Sequence, residues 1–245
     1  MVNWKTIPKI DAHIHLMPPD VIEANQGFND KFVDYGSVND YLKLMDKYHI
    51  DSAFLMPFND PYMLSMDFTV EAVNNNMTAM CKEGNADHKL YYFADIDLRN
   101  EMDKTIYELD RVTKQKECLG IKIHPSNTGY PVDGFYYDHI FDWANQNAIL
   151  VEIHSYPRAH ISDDVCSPRS EERRVLFRSR IRNVMKKYPN LRVSIAHLGG
   201  FQYKDLYGLD AYFNISAILP DLVKKYDITK TNQILRSFDL NKLVF

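Results

Sequence analysis

Ile10-Asp11-Ala12-His13-Ile14-His15 is the first extended run of the chain, with Ile7-Pro8-Lys9 before it and Leu16-Met17-Pro18-Pro19 after it. It reads as a short strand leading into a loop. Side chains alternate along a strand, so Asp11, His13 and His15 fall on one face. Two imidazoles on one face at a strand end can converge on a single cation. Neutral imidazole is a common ligand for zinc and similar divalent ions. The same pair also suits two partly buried structural histidines, because so short a motif recurs by chance. The rest of the chain decides which reading holds.

Outward from that strand, the same pattern repeats. Ser37 is placed to cap a helix in which Val38, Tyr41, Leu42, Met45 and Tyr48 share one face. A buried strand follows at 50–58, stopped by Pro57. A helix over 68–82 ends at Gly84, and strand three runs 90–98. Met102, Ile106, Leu109 and Val112 mark the next helix, and strand four runs 119–124 up to Pro125. A helix with Ile140, Phe141 and Ala144 precedes strand five at 149–154. A basic helix over 171–188 leads to strand six at 191–197, closed by Gly199-Gly200. Strand seven is 211–216, a helix spans 229–238, and Lys242-Leu243-Val244-Phe245 begins strand eight. Apolar strands alternating with helices mean parallel βαβ units. Eight of them predict an α/β fold of the (β/α)8 barrel type, whose active sites sit at the C-terminal ends of the strands. A doubly wound open sheet would call for a glycine-rich phosphate turn after an early strand, and no G-x-G-x-x-G occurs.

Composition sets the boundaries of function. The 245 residues are 45% hydrophobic and 25% charged, which suits one globular barrel domain over 1–245. A net charge of −4 and a pI near 6.1 carry no nucleic-acid footprint. No apolar run suggests a membrane span, and the N-terminus lacks the layout of a secretory signal. Cys81, Cys118 and Cys166 are too few and scattered for a disulfide framework, so a reducing cytoplasm is the default expectation.

The histidines sharpen the expectation. His13 and His15 end strand one, His124 ends strand four, His154 ends strand five and His197 ends strand six. His49, His88, His139 and His160 fall in helices or loops and read as ordinary surface residues. In a barrel the strand-end set gathers round one mouth, which points to a metal-centred site.

Asp-Ala-His-Ile-His-Leu at 11–16, Gly-Ile-Lys-Ile-His-Pro at 120–125, Val-Glu-Ile-His at 151–154, Ala-His-Leu-Gly-Gly at 196–200 and Phe-Asn-Ile-Ser at 213–216 resemble the amidohydrolase superfamily. The likeness is to its amidohydrolase-related branch, which holds metal-dependent hydrolases and decarboxylases similar to aminocarboxymuconate semialdehyde decarboxylase. It runs from residue 7 to the end of the sequence. The resemblance implies His13, His15 and His154 as metal ligands, with Zn2+ as the expected ion and Mn2+ the other choice. It implies for His197 a hydrogen bond to substrate or to metal-bound water, or a second ion in metal-rich relatives. In the family a further metal-ligating aspartate closes a strand-eight run like Leu-Val-Phe-Gly-Thr-Asp, of which Leu243-Val244-Phe245 matches only the start, so the barrel is expected to lack the end of strand eight and the segment beyond it. Relatives often dimerise, and a homodimer is carried over on that ground alone.

The remaining residues keep alternatives open. Lys122 shares a face with Gly120 and His124; it either bridges two metals as a carbamate, as in some relatives, or packs and pairs with Glu152. His124 is a candidate for touching a small-molecule substrate. Asp11 either accepts from the strand-one imidazoles or caps the turn. Residues 169–179 are far more basic than their surroundings. They read as a solvated helix face, but Arg-Ser-Glu-Glu-Arg-Arg-Val and Leu-Phe-Arg-Ser resemble the translation of a sequencing adapter, so nothing functional is assigned there.

The expected chemistry is hydrolysis of an amide, lactone or related carbonyl bond by metal-activated water, with His197 stabilising the oxyanion or shuttling a proton. The alternative keeps the site and changes the reaction to decarboxylation of an unsaturated or aromatic carboxylic acid, with Arg158 and Lys122 meeting the carboxylate. A third reading is a non-catalytic metal-binding barrel fragment.

Overall fold

A computed structural model describes residues 3–18, 23, 36–57, 69–84, 89–96, 98, 101–128, 130–155 and 180–244. Arg158 and the basic stretch 169–179 lie outside the described residues. Eight strands form one parallel sheet in the order β1 to β8, with helices between them. This is the (β/α)8 barrel class. The strands are β1 (Ile10–Ile14), β2 (Ser52–Leu55), β3 (Lys89–Ala94), β4 (Cys118–Ile123), β5 (Leu150–Ile153), β6 (Arg192–Ile195), β7 (Tyr212–Asn214) and β8 (Leu243–Val244). The main helices are α1 (Val38–Tyr48), α2 (Val70–Gly84), α3 (Met102–Val112), α4 (Asp138–Gln146), α5 (180–187) and α6 (Ile218–Leu235). No described helix is long and apolar enough to cross a membrane.

The chain divides into two compact units: Met1–Asp97 with Tyr107–Lys122, and Leu98–Ile106 with Ile123–Phe245. In the first unit, Ala53, Leu55, Leu90 and Tyr92 are fully buried beneath Met45 of α1 and Met77, Met80 and Cys81 of α2. Ser37 caps α1 as expected: its Oγ accepts the Asp40 N–H at 3.3 Å. Gly84 has a different role from the cap that the sequence suggests. It is the last residue of α2, and a Cβ there would lie 2.2 Å from Leu90 Cδ1, so the glycine lets the helix close on β3. A buried network ties the segment after β3 to the helices of this unit. Asn74 Nδ2 donates to Glu108 Oε1 at 3.0 Å, and the Asp95 N–H donates to Asn74 Oδ1 at 2.8 Å. Arg111 grips both oxygens of Glu108 at 2.7 and 2.8 Å.

In the second unit, Val151, Ile153, Val193, Ile195 and Phe213 are buried with Ile140 and Phe141 of α4 and Ile181 and Val184 of α5. Two elements depart from expectation. Pro125–Thr128 forms a single helical turn directly after β4, where the sequence reads as loop. The last helix begins at Ile218, eleven residues earlier than the pattern suggests, because Pro220 sits in its first turn, where a missing N–H costs nothing. Asp227 interrupts it with φ 74° and caps the continuation, its carboxylate accepting the Lys230 N–H at 2.8 Å.

Candidate metal centre

His13 lies in β1 and His15 one residue past its end. The strand does not alternate strictly. Asp11 pairs with Ala53 and Ile14 with Leu55, so three steps along β1 oppose two along β2, which is a bulge. A bulge re-aims side chains, and here the two rings still meet, edge to face, with centroids 5.3 Å apart. Asp11 does the second of the two jobs open to it. Its Oδ1 accepts the His13 backbone N–H at 3.3 Å and its Oδ2 accepts the Tyr41 hydroxyl at 2.8 Å. The carboxylate therefore fixes the bulge and docks it on α1. Burial, and then the neighbouring Asp11 charge, push the Tyr41 phenol well above its usual range, so it stays a donor. Lys122 is also in this unit, on β4 and 3% exposed.

His124, His154 and His197 come together in the second unit. The His154 N–H donates to the Ile123 carbonyl at 2.9 Å, which sets the ends of β4 and β5 level. The His124 and His154 rings stack at 3.8 Å, 17° from parallel. Stacked rings hold their nitrogens in parallel planes, so these two do not point at one centre. His154 meets His197 edge to face, with Nδ1 and Nε2 3.2 Å apart.

The partners of His197 fix its tautomer. Its Nδ1 lies 2.8 Å from the Ser216 carbonyl oxygen, and a carbonyl only accepts. Nδ1 therefore carries the proton, with the Ser216 hydroxyl as a second neighbour at 3.1 Å. In the neutral ring Nε2 then accepts, so His154 donates from Nδ1, which puts the His154 lone pair at Nε2. Ser216 is itself held: its N–H donates to Asn214 Oδ1 at 2.8 Å, across the end of β7.

The backbone under His197 is strained. Residues 197–200 all have positive φ: 61°, 52°, 72° and 59°. Gly199 and Gly200 adopt this region readily. His197 and Leu198 do not, and each costs on the order of 1–2 kcal/mol there. Such strain persists only where the surroundings enforce it. Ser155, fully buried, does so: its hydroxyl donates to the Ala196 carbonyl and accepts the Gly199 N–H at 2.9 Å. Tyr41, Ser155 and Ser216 are residues that sequence reasoning missed. Only Ser216 carried a signal, as the last residue of Phe-Asn-Ile-Ser.

His139 corrects an expectation. It is half-buried, its Nε2 has no hydrogen-bond partner, and burial pulls its pKa below the usual imidazole value. It sits on α4 among core residues, where the periodicity of Ile140 and Phe141 carries it inward.

Imidazole nitrogens at strand ends fit a borderline divalent ion by donor type. By position they remain short of a closed set: no three His, Cys, Asp or Glu of the described residues gather tightly enough to hold an ion.

An eight-stranded parallel barrel with imidazoles at the ends of β1, β4, β5 and β6 is a (β/α)8 protein of the type that carries its chemistry at the strand ends. The chain belongs to the Amidohydrolase family, whose model matches residues 10–231. This family is generally dependent on a divalent metal. No curated protein matches the chain. Solved structures share the fold at low identity. A 2,6-dihydroxybenzoate decarboxylase from Rhizobium is 14% identical with a TM-score of 0.67, covering 97% of this chain and 86% of its own. A probable 2-pyrone-4,6-dicarboxylic acid hydrolase from Acinetobacter baumannii, with citric acid bound, is 13% identical at 0.58, covering 96% and 81%. A 5-carboxyvanillate decarboxylase from Novosphingobium aromaticivorans, complexed with manganese and 4-hydroxy-3-methoxy-5-nitrobenzoic acid, is 13% identical at 0.62, covering 98% and 85%.

Proposed function

We propose that this chain is a metal-dependent hydrolase acting on an amide, lactone or related carbonyl bond. The ligands proposed are His13, His15 and His154, which sit at or just past the ends of β1 and β5. Family membership supports that set, and zinc or manganese suits its donors. When bound, the ion would supply Lewis acidity, making water a nucleophile at neutral pH.

The observation that carries the reading is the chain Ser216–His197–His154. It holds His154 with its lone pair at Nε2, the state a ligand needs, before any ion arrives. His197 meets that ring through Nε2, which accepts the His154 Nδ1–H at 3.2 Å. That nitrogen is the proposed site for holding a proton during turnover, with Nδ1–H anchored on Ser216 so that the ring cannot turn away. His124, stacked on His154, is the proposed wall for a small-molecule substrate.

Decarboxylation of an aromatic or unsaturated carboxylic acid is the second reading. Lys122 of β4 is one proposed partner for the carboxylate. Arg158 is the other proposed partner. Several of the solved structures similar in fold carry decarboxylase names.

A panel of lactones, amides and aromatic carboxylic acids, assayed with zinc and with manganese, tests both. Hydrolysis that falls at least a hundredfold in His197→Ala supports the first reading. Carbon dioxide release without hydrolysis overturns it in favour of the second.

A further inference from the structure

We propose that Ser155 is a positioning residue for His197, acting through the left-handed turn rather than by touching either ring. Ser155 follows His154 directly and is fully buried. Its hydroxyl spans the base of the turn, donating to the Ala196 carbonyl and accepting the Gly199 N–H. Between those two points lie His197 and Leu198, non-glycine residues in the left-handed region. Pinning both ends of such a segment is what keeps it from relaxing to an extended conformation.

The consequence lies at the imidazole. With the turn closed, His197 Nδ1 is delivered to the Ser216 carbonyl and Nε2 to His154 Nδ1. One hydroxyl therefore couples the residue after β5 to the orientation of the histidine after β6. In this arrangement the residue next to a proposed ligand sets the tautomer of its neighbour. The inference rests on the proposed function only for its purpose; the geometry it invokes needs neither ion nor substrate.

The test is the tautomeric state of His197, read from imidazole 15N shifts in the full chain. Histidine labelling is used, with no ion added and at a pH where the rings are neutral. Gly199 amide exchange is measured alongside. In the native chain His197 is expected almost wholly as the Nδ1–H form, with a protected Gly199 amide. Ser155→Ala is expected to leave the two tautomers mixed and to speed Gly199 exchange at least tenfold, whereas Ser155→Thr, which keeps the hydroxyl, restores both. If Ser155→Ala does not fold, Ser155→Cys, of similar volume and weaker hydrogen bonding, takes its place with the same expectation. A native Nε2–H tautomer, or tautomer and exchange both unchanged in the variant, overturns the proposal. Failure of metal binding with the expected tautomers intact would instead count against the ligand assignment alone.

Discussion

The two imidazole groups are held in opposite ways. His13 and His15 are neighbours in sequence, and their support is ordinary: a strand, one bulge and a carboxylate docked on a helix tyrosine. His154 and His197 are forty-three residues apart and meet only because β5 and β6 are paired. Their support is a strained turn, two glycines, the Ser155 hydroxyl and the Ser216 carbonyl. Adjacency in sequence can be achieved with little cost to the backbone. Bringing a ring into line across strands requires conformations that only a buried hydrogen-bond network sustains.

Substitutions in each region should behave accordingly. The largest effect is expected at Gly200, whose φ of 59° and ψ of −138° suit glycine alone. Gly200→Ala should cost about 3 kcal/mol in urea unfolding and scramble the His197 tautomer. A loss well under 1 kcal/mol would show that the turn is not strained.

Alkaline pH probes the first unit. Burial, above all, pushes the Cys118 thiol up to about 11 and the Cys81 thiol up too. Above the unfolded thiol's pKa, the unfolded chain loses its proton while the folded chain keeps it, so stability falls as pH rises. Between about pH 9 and 11 the loss from Cys118 should reach about 2 kcal/mol. Cys118→Ala should flatten that part of the curve, and an unchanged slope would reject the assignment.

Tyr41→Phe removes the donor to Asp11 and should cost about 1.5 kcal/mol. It should loosen the His13–His15 pair while leaving the His154–His197 contact intact, as ring nitrogen shifts would report. Ser37→Ala, a lost helix cap, should cost about 1 kcal/mol in thermal or urea unfolding and move no imidazole signal.

The sequence was most legible where local pattern and tertiary role agree. Alternating apolar strands and amphipathic helices announced eight βα steps, and each histidine placed at a strand end lies at one. Orientation was the part that did not show. The assumption of a strict two-residue period on β1 missed the bulge, because an extra residue leaves no mark in a short apolar strand. Nothing in Ser155 distinguishes it in sequence from a loop serine. Its role emerges only when β5 and β6 bring it beneath Gly199. The last helix was legible only from residue 229, although it begins at Ile218. His139 reads as a surface residue in sequence, and only the packing of α4 turns it toward the core.

The central proposal, made on family membership, is that His13, His15 and His154 serve as metal ligands. Zinc titration of the chain by calorimetry, repeated on His13→Ala and His154→Ala, tests it most directly. One site is expected in the native chain and at least a hundredfold weaker binding in each variant, with both still folded by circular dichroism. Native affinity in either variant, or two independent sites lost one at a time, would contradict it.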